Sequence, residues 1–327
     1  MRDAVTGLLV SLVRGAVTSP FKSAGRSGAA LPPARAVLPA ARIVPGRLAS
    51  YRGICGFTER DVLPLTYPHV LGFPLAMRIM TGRAFPLPVL GLVHTRIEIT
   101  GHRALHPADA PELTVYAEEL TPHRRGTEVT VVTQARLSGE LVWESRSGYL
   151  SRYSTGRAPA TATPRGPAPS SPAAGGPVAE AEAAAAAEVE AEANAAVRAG
   201  DPAIDPAGDS PTGPARDALP AVAEWRLPGD LGRRYGAASG DRNPIHLHPL
   251  TARLFGFPRH IAHGMWTVAR CLAEAEASGS GRIRTVRAEF RAPVLLPATV
   301  TYAAAGPAFE VRGAGRVHLT GRVTREG

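Results

Sequence analysis

Cysteine is scarce in this chain: among 327 residues only Cys55 and Cys271 occur, far apart and with no paired spacing. That excludes a disulfide framework and a cysteine-rich zinc site, and it fits a reducing cytosol, so a cytoplasmic protein is expected. Aromatic residues make up only 6% of the chain. No helix-turn-helix, finger or ribonucleoprotein motif accompanies the scattered arginines, so nucleic acid is not an expected partner. Apolar runs are short as well, and none approaches the roughly 18 residues needed to span a bilayer. Near the start, Val5, Leu8, Leu9, Leu12, Val13 and Val17 recur at helical spacing, but Arg14 interrupts them. An amphipathic surface helix is the reading there, rather than a signal peptide, and membrane contact is not expected. What the chain has in excess is positive charge. A formal net charge of +9 favours anionic partners, among them phosphate-bearing small molecules.

Composition divides the chain. From Thr155 to about Pro214 it is Ala, Pro, Gly and Glu with almost no large apolar residue, too little to offset the entropy of ordering. The organisation expected is an amphipathic, flexible segment over 1–39, a domain over 40–154, a linker over 155–215 and a second domain over 216–327. Within the linker, Val178 to Arg198 is rich in Ala and Glu and has the propensity for a lone helix.

The two domains read as divergent copies. Gly72-Phe73-Pro74 and Gly256-Phe257-Pro258 are each followed by a Met-containing helical run. Farther on, Arg103-Ala104-Leu105-His106-Pro107 and Arg291-Ala292-Pro293-Val294-Leu295-Leu296-Pro297 each lead into a strand pattern. An internal duplication is the expectation, with chance recurrence of Gly/Pro punctuation as the bland alternative. In the second copy Met265, Val268, Leu272 and Ala275 make one buried helical stripe over Gly264 to Ala277. Alternation then predicts strands at Thr285 to Val294, Ala298 to Ala304, Phe309 to Arg312 and Arg316 to Thr324. The first copy gives strands at Gly91 to Thr100, Glu112 to Leu120, Thr127 to Leu137 and Glu140 to Ser151. A long apolar helix wrapped by an antiparallel sheet, twice over, is an α+β arrangement.

One stretch carries chemistry. Ser239-Gly240-Asp241-Arg242-Asn243-Pro244-Ile245-His246 is followed by Gly256-Phe257-Pro258 and then by Ile261-Ala262-His263-Gly264-Met265. Pro244 stiffens the turn between the acid and the imidazole. Asp241 and His246 could then hold one water between them, with His246 able to take its proton at neutral pH. The N–H of Gly264, opening a helix, would polarise a thioester oxygen and stabilise an enolate.

These motifs, with Phe290, Pro293, Val294 and Pro297 downstream, resemble the MaoC-like hydratase/dehydratase family of (R)-specific enoyl-CoA hydratases and related acyl-thioester dehydratases. The close match covers most of the second domain; the first resembles the family weakly, as in fused double hot-dog members. The resemblance implies a double hot-dog fold, with two antiparallel sheets each wrapped around a central helix. It implies reversible hydration of a trans-2-enoyl thioester to the (R)-3-hydroxyacyl thioester, without metal or redox cofactor. Asp241, Asn243, His246 and Gly264 fall on the catalytic positions. His263, Met265, Phe257, Arg259 and Arg287 are candidates for binding substrate, the arginines through coenzyme A phosphates. The acyl carrier is coenzyme A or an acyl carrier protein, and a homodimer is compatible with the family. The polar side chain that some members carry along the central helix has no clear counterpart, Thr267 being the nearest. His248 stands where an acid often caps the next short helix, which should weaken that helix slightly.

Other readings stand beside these. A capping Asp in a structural turn would account for Asp241. His246, His248, His260 and His263 invite a metal, but no helical His-Glu-x-x-His frame is present and none is assigned. The arginines would equally suit a solvated strand face. His69 matches the catalytic histidine only by position and is read as non-catalytic. Among functions, a thioester-binding subunit without activity and a hot-dog thioesterase are the competitors.

Overall fold

A computed structural model describes residues 31–89, 92–152 and 218–326. Most of the expected N-terminal segment and the whole linker, including its Ala/Glu stretch, lie outside the described residues.

The first half contributes β1 (Ala36–Leu38), helices α1 (Pro45–Cys55) and α2 (Tyr67–Met80), and strands β2 (Val93–Gly101), β3 (Glu112–His123), β4 (Gly126–Leu137) and β5 (Glu140–Arg152). After the linker come β6 (Ala221–Leu227), three helices α3 (Leu231–Ser239), α4 (Pro244–Leu247) and α5 (Pro249–Leu254), and the long helix α6 (Gly264–Ser278). Strands β7 (Ile283–Phe290), β8 (Ala298–Ala305), β9 (Ala308–Gly313) and β10 (Arg316–Arg325) complete the chain.

The strands form one ten-stranded sheet in the order β1-β3-β4-β5-β2-β7-β10-β9-β8-β6. Read outward from the middle, both halves follow the same path: β2-β5-β4-β3-β1 on one side and β7-β10-β9-β8-β6 on the other. The two separate sheets of the sequence reading are therefore continuous. β2 and β7 would each be an open edge, and they close on one another antiparallel, with Ile97 opposite Ala288 and Ile99 opposite Val286. The first sheet also begins before residue 40, because β1 pairs with β3.

Each half wraps its sheet around one helix. In α6 the stripe Met265, Val268, Leu272 and Ala275 is buried as expected, but so are Trp266, Ala269, Cys271 and Ala273. A helix apolar on nearly every side must be enclosed, and α6 is the centre of its half. Its counterpart α2 contains Gly72-Phe73-Pro74, which the sequence reading placed ahead of the helix. The equivalence with Gly256-Phe257-Pro258, which lies in the loop after α5, fails: Tyr67 to Leu71 add more than a turn of helix upstream. Helix α1 ties the halves together. Arg47 Nε donates to the Ala238 carbonyl at 2.8 Å, and the Trp266 indole donates to the Ile54 carbonyl at 2.9 Å. Buried apolar residues of both halves form one cluster. Both cysteines are buried free thiols. Among the described residues no helix is long and apolar enough to cross a membrane.

Candidate active site

Helix α3 delivers the chain to the site. It ends at Gly240 in the left-handed conformation (φ 86°), which a side chain would resist, and this turns the backbone sharply into Asp241. The Asp241 carboxylate accepts from the Asn243 N–H at 3.1 Å, and the Asn243 side chain accepts from the Ile245 N–H at 3.3 Å. Two successive Asx-type turns thus fix the loop, and Asn243 caps α4 with Pro244 at its first position. His246 follows within that short helix and is buried. His248 caps α5: its Nδ1 accepts from the Leu250 N–H at 3.2 Å. The helix-weakening expected from the missing acid is thereby corrected, since an imidazole nitrogen takes the acceptor's place.

Behind the loop, residues 260–262 run as a pinned strand-like segment. Ile261 N–H bonds to Ile245, Ala262 N–H to Val294 and Leu296 N–H to His260. His246 Nδ1 lies 2.8 Å from the Ile261 carbonyl, which can only accept, so Nδ1 carries the proton and Nε2 keeps a lone pair. His260 donates from Nε2 to the Gly229 carbonyl at 2.6 Å. His263 donates from Nε2 to the Asp241 carbonyl at 3.0 Å and stacks on His246, ring centroids 3.7 Å apart. On its other side lies Tyr235, at 4.8 Å. His263 is also the N-cap residue of α6, so one side chain locks the start of the central helix to the Asp241 turn.

Asp241, His246 and His263 can bring one nitrogen or oxygen each within 4.8 Å of one another. As metal ligands they are poorly aimed: the two imidazoles stack with planes 24° apart, so their in-plane lone pairs run side by side instead of meeting. As proton-transfer partners they are well placed. Burial pushes the Asp241 carboxyl above its ordinary range, partly offset by His246 and the Asn243 N–H. Burial lowers His246, with Asp241 and the Ile261 carbonyl pulling it back, and it lowers His263 far more. At neutral pH the site holds a neutral imidazole beside an acid reluctant to ionise.

Gly264 is the first residue of α6, so its N–H has no acceptor within the helix. It stays half-exposed between buried His263 and Met265. A Cβ here would sit 2.7 Å from the Phe290 ring, so glycine is what lets that ring close against the helix start. Phe257 is half-buried and Arg259 exposed in the stretch linking α5 to α6. Arg287 is misplaced by the sequence reading. Val286 and Ala288 face the core, so strand alternation turns Arg287 to the opposite surface, 74% exposed and bonded to Glu98 across the β2–β7 join. Arg282 and Arg291 are likewise paired, with Glu326 and Glu289. The Thr267 hydroxyl turns back on its own helix toward the His263 carbonyl.

Two neighbours of the site come from the first half and carry no motif. Tyr149 of β5 is half-buried, within electrostatic reach of the Asp241 carboxyl. His94 of β2 packs between Tyr149, at 4.5 Å, and Phe290, at 4.7 Å. They lie some ninety residues and more from Asp241 in sequence; their traces were the strands expected over Gly91 to Thr100 and Glu140 to Ser151.

A sheet wrapped around a central helix in each half, with an acid and an imidazole gathered at the start of one of those helices, defines a hot-dog protein. Comparison with known proteins makes the assignment specific. The family model for the MaoC like domain matches residues 224–318. The 3-hydroxyacyl-thioester dehydratase X of Mycobacterium tuberculosis is 32% identical over 258 residues, covering 79% of this chain and 75% of the relative. The crystal structure of HtdX from the same organism superposes with a TM-score of 0.65 at 29% identity, covering 90% of this chain and all of the other. A MaoC-like dehydratase from Phytophthora capsici shares the fold, with a TM-score of 0.62 at 17% identity over 91% of this chain and 96% of its own. The chain belongs to the MaoC-like dehydratase family.

Proposed function

We propose that this protein reversibly hydrates trans-2-enoyl thioesters to (R)-3-hydroxyacyl thioesters, using Asp241 and His246 as the acid–base pair. The observation that carries the reading is the convergence of Asp241 and His246 next to the free amide of Gly264. In hydration, His246 Nε2 takes a proton from a water held between it and Asp241, and the water oxygen bonds to C3. The electron pair of the C2–C3 double bond moves onto the thioester oxygen, where the Gly264 N–H receives the negative charge. The enolate then returns its electrons to C2, which takes a proton from the Asp241–His246 pair. An acid whose pKa is raised suits that second transfer, and a neutral imidazole suits the first. Dehydration is the reverse. The (R) outcome rests on resemblance to the family, and the acyl carrier is coenzyme A or an acyl carrier protein.

The test is steady-state hydration of crotonyl-CoA and of enoyl groups on a carrier protein by the full chain. Asp241→Asn and His246→Gln should each lower kcat by about 10²–10⁴ while leaving the fold intact. A parent protein inert on every carrier, binding an unreactive acyl-CoA all the same, would make it a binding subunit. Release of free thiol from acyl-CoA would make it a thioesterase.

A further inference from the structure

Under the first turns of α2, beside the proposed reaction site, the first half holds a row of polar groups on the inner face of its sheet. Strand register shows which way they face. Gly72 of α2 abuts Thr133 of β4, so Thr133 points at the helix. Ser145 of β5 lies directly opposite Thr133 and shares its face; Ser147 and Tyr149 follow at intervals of two along the same strand. At about 3.3 Å per residue the row from Tyr149 to Ser145 spans roughly 13 Å. His94, opposite Tyr149, closes its side. His69, in the first turn of α2, stacks on His94 at 6.3 Å.

These groups are short of partners. Ser145 Oγ, His69 Nδ1 and His94 Nε2 are buried without a hydrogen-bond partner, and Ser147 Oγ has only the approach of the Tyr149 hydroxyl. Ser145 is 1% exposed, Ser147 2% and His69 8%. Buried polar atoms are ordinarily satisfied, so three orphans gathered along and beside this row mark a place where another molecule supplies the partner. The row ends at Tyr149 and His94, and His94 packs on Phe290, whose ring lies against Gly264, the end at which the thioester would lie.

We infer that this seam receives a neutral oxygen substituent, a hydroxyl or keto group, carried on the acyl chain beyond the reacting carbons. The inference rests on the hydratase reading and narrows its substrate class. Hydroxyl and imidazole groups both donate and accept, which matches such an oxygen. No charged side chain stands in the row, and burial holds His69 and His94 neutral, with pKa values near 4 and 3; a carboxylate would find no counter-charge. A plain alkyl chain laid along the row would leave those three atoms unsatisfied, and sites built for a hydrogen bond reject the analogue lacking it.

The experiment compares kcat/KM for crotonyl-CoA, an unsubstituted long-chain 2-enoyl-CoA, and 2-enoyl-CoAs of that length with one hydroxyl walked along the chain beyond C4. At one position the hydroxylated substrate should exceed the plain one by tenfold or more. Ser145→Ala with Ser147→Ala should collapse that ratio, each value being normalised to the variant's own crotonyl-CoA turnover. A plain chain turned over as well as every hydroxylated one overturns the inference, and the unaltered protein alone suffices to show it. Should crotonyl-CoA not react at all, the hydratase reading fails instead. Calorimetry with saturated hydroxylated and plain acyl-CoAs then decides the seam: tighter binding of the hydroxylated ligand supports it, equal binding refutes it.

Discussion

Replacing Gly264 with alanine isolates the main-chain donor from the acid–base pair. The added Cβ would stand 2.7 Å from Phe290 Cε1, whereas ordinary contact begins at 3.4 Å, so about 0.7 Å must be found. The ring cannot simply retreat, because His94 packs behind it at 4.7 Å and Tyr149 behind His94 at 4.5 Å. The strain falls partly on the first turn of α6, which carries the amide. A displacement approaching 1 Å costs up to about 10² in rate, and loss of one oxyanion donor about 10²–10³. Gly264→Ala should therefore lower kcat for crotonyl-CoA about 100-fold, with about 1–3 kcal/mol of stability lost to overpacking. Adding Phe290→Leu gives the methyl room and should restore at least tenfold. Disappearance of the enoyl thioester absorbance gives the rates, and circular dichroism with thermal melts confirms the fold. A folded Gly264→Ala protein within threefold of the parent rate would remove the amide from the mechanism.

Acid should destabilise the protein through its buried histidines. His69 and His94 titrate near 4 and 3 in the fold, against an ordinary 6.5, so below pH 6.5 the unfolded chain binds protons that the folded one refuses. Stability is then present above 6.5 and falls as pH drops, by about 1.4 kcal/mol per pH unit for each histidine and roughly 2.7 for the two between pH 5.5 and 4.5. The raised Asp241 and Glu276 act in the opposite sense, while His246, His263 and His318, all lowered by burial, add to the loss. Urea midpoints that stay level from pH 7 to 4.5 would contradict this. His248→Ala removes the acceptor from the start of α5 and should cost about 0.5–2 kcal/mol, read from chemical denaturation, with no cost expected if solvent caps the helix equally well.

Strands β2–β5 and β7–β10 were legible from alternation such as Val286 and Ala288 against Arg287, and from β-branched richness where, as at Val129–Thr133 of β4, burial is continuous. β1 and β6 were not: β1 has three residues, and in β6 only Trp225 and Leu227 are buried. Helix α1 escaped because its buried residues, Leu48, Tyr51, Arg52 and Cys55, include a charged one. The turn from Asp241 to His246 was readable since its proline and short polar side chains act on their own neighbours. Arg287 shows the reverse limit: closeness in sequence to the site says nothing about which sheet face a side chain takes. Tyr149 comes near Asp241, and His94 against Phe290, across the β2–β7 join, a long-range pairing that no local pattern encodes.

The first turn of α2 has a consequence for stoichiometry. The amide equivalent to that of Gly264 belongs to Tyr67, and it is already spent on the Pro64 carbonyl at 2.8 Å. The next residue, Pro68, has no N–H to offer. With both positions silenced, the twin helix cannot cradle a developing negative charge, so a tight-binding mimic of the enolate should saturate the protein at one molecule per chain.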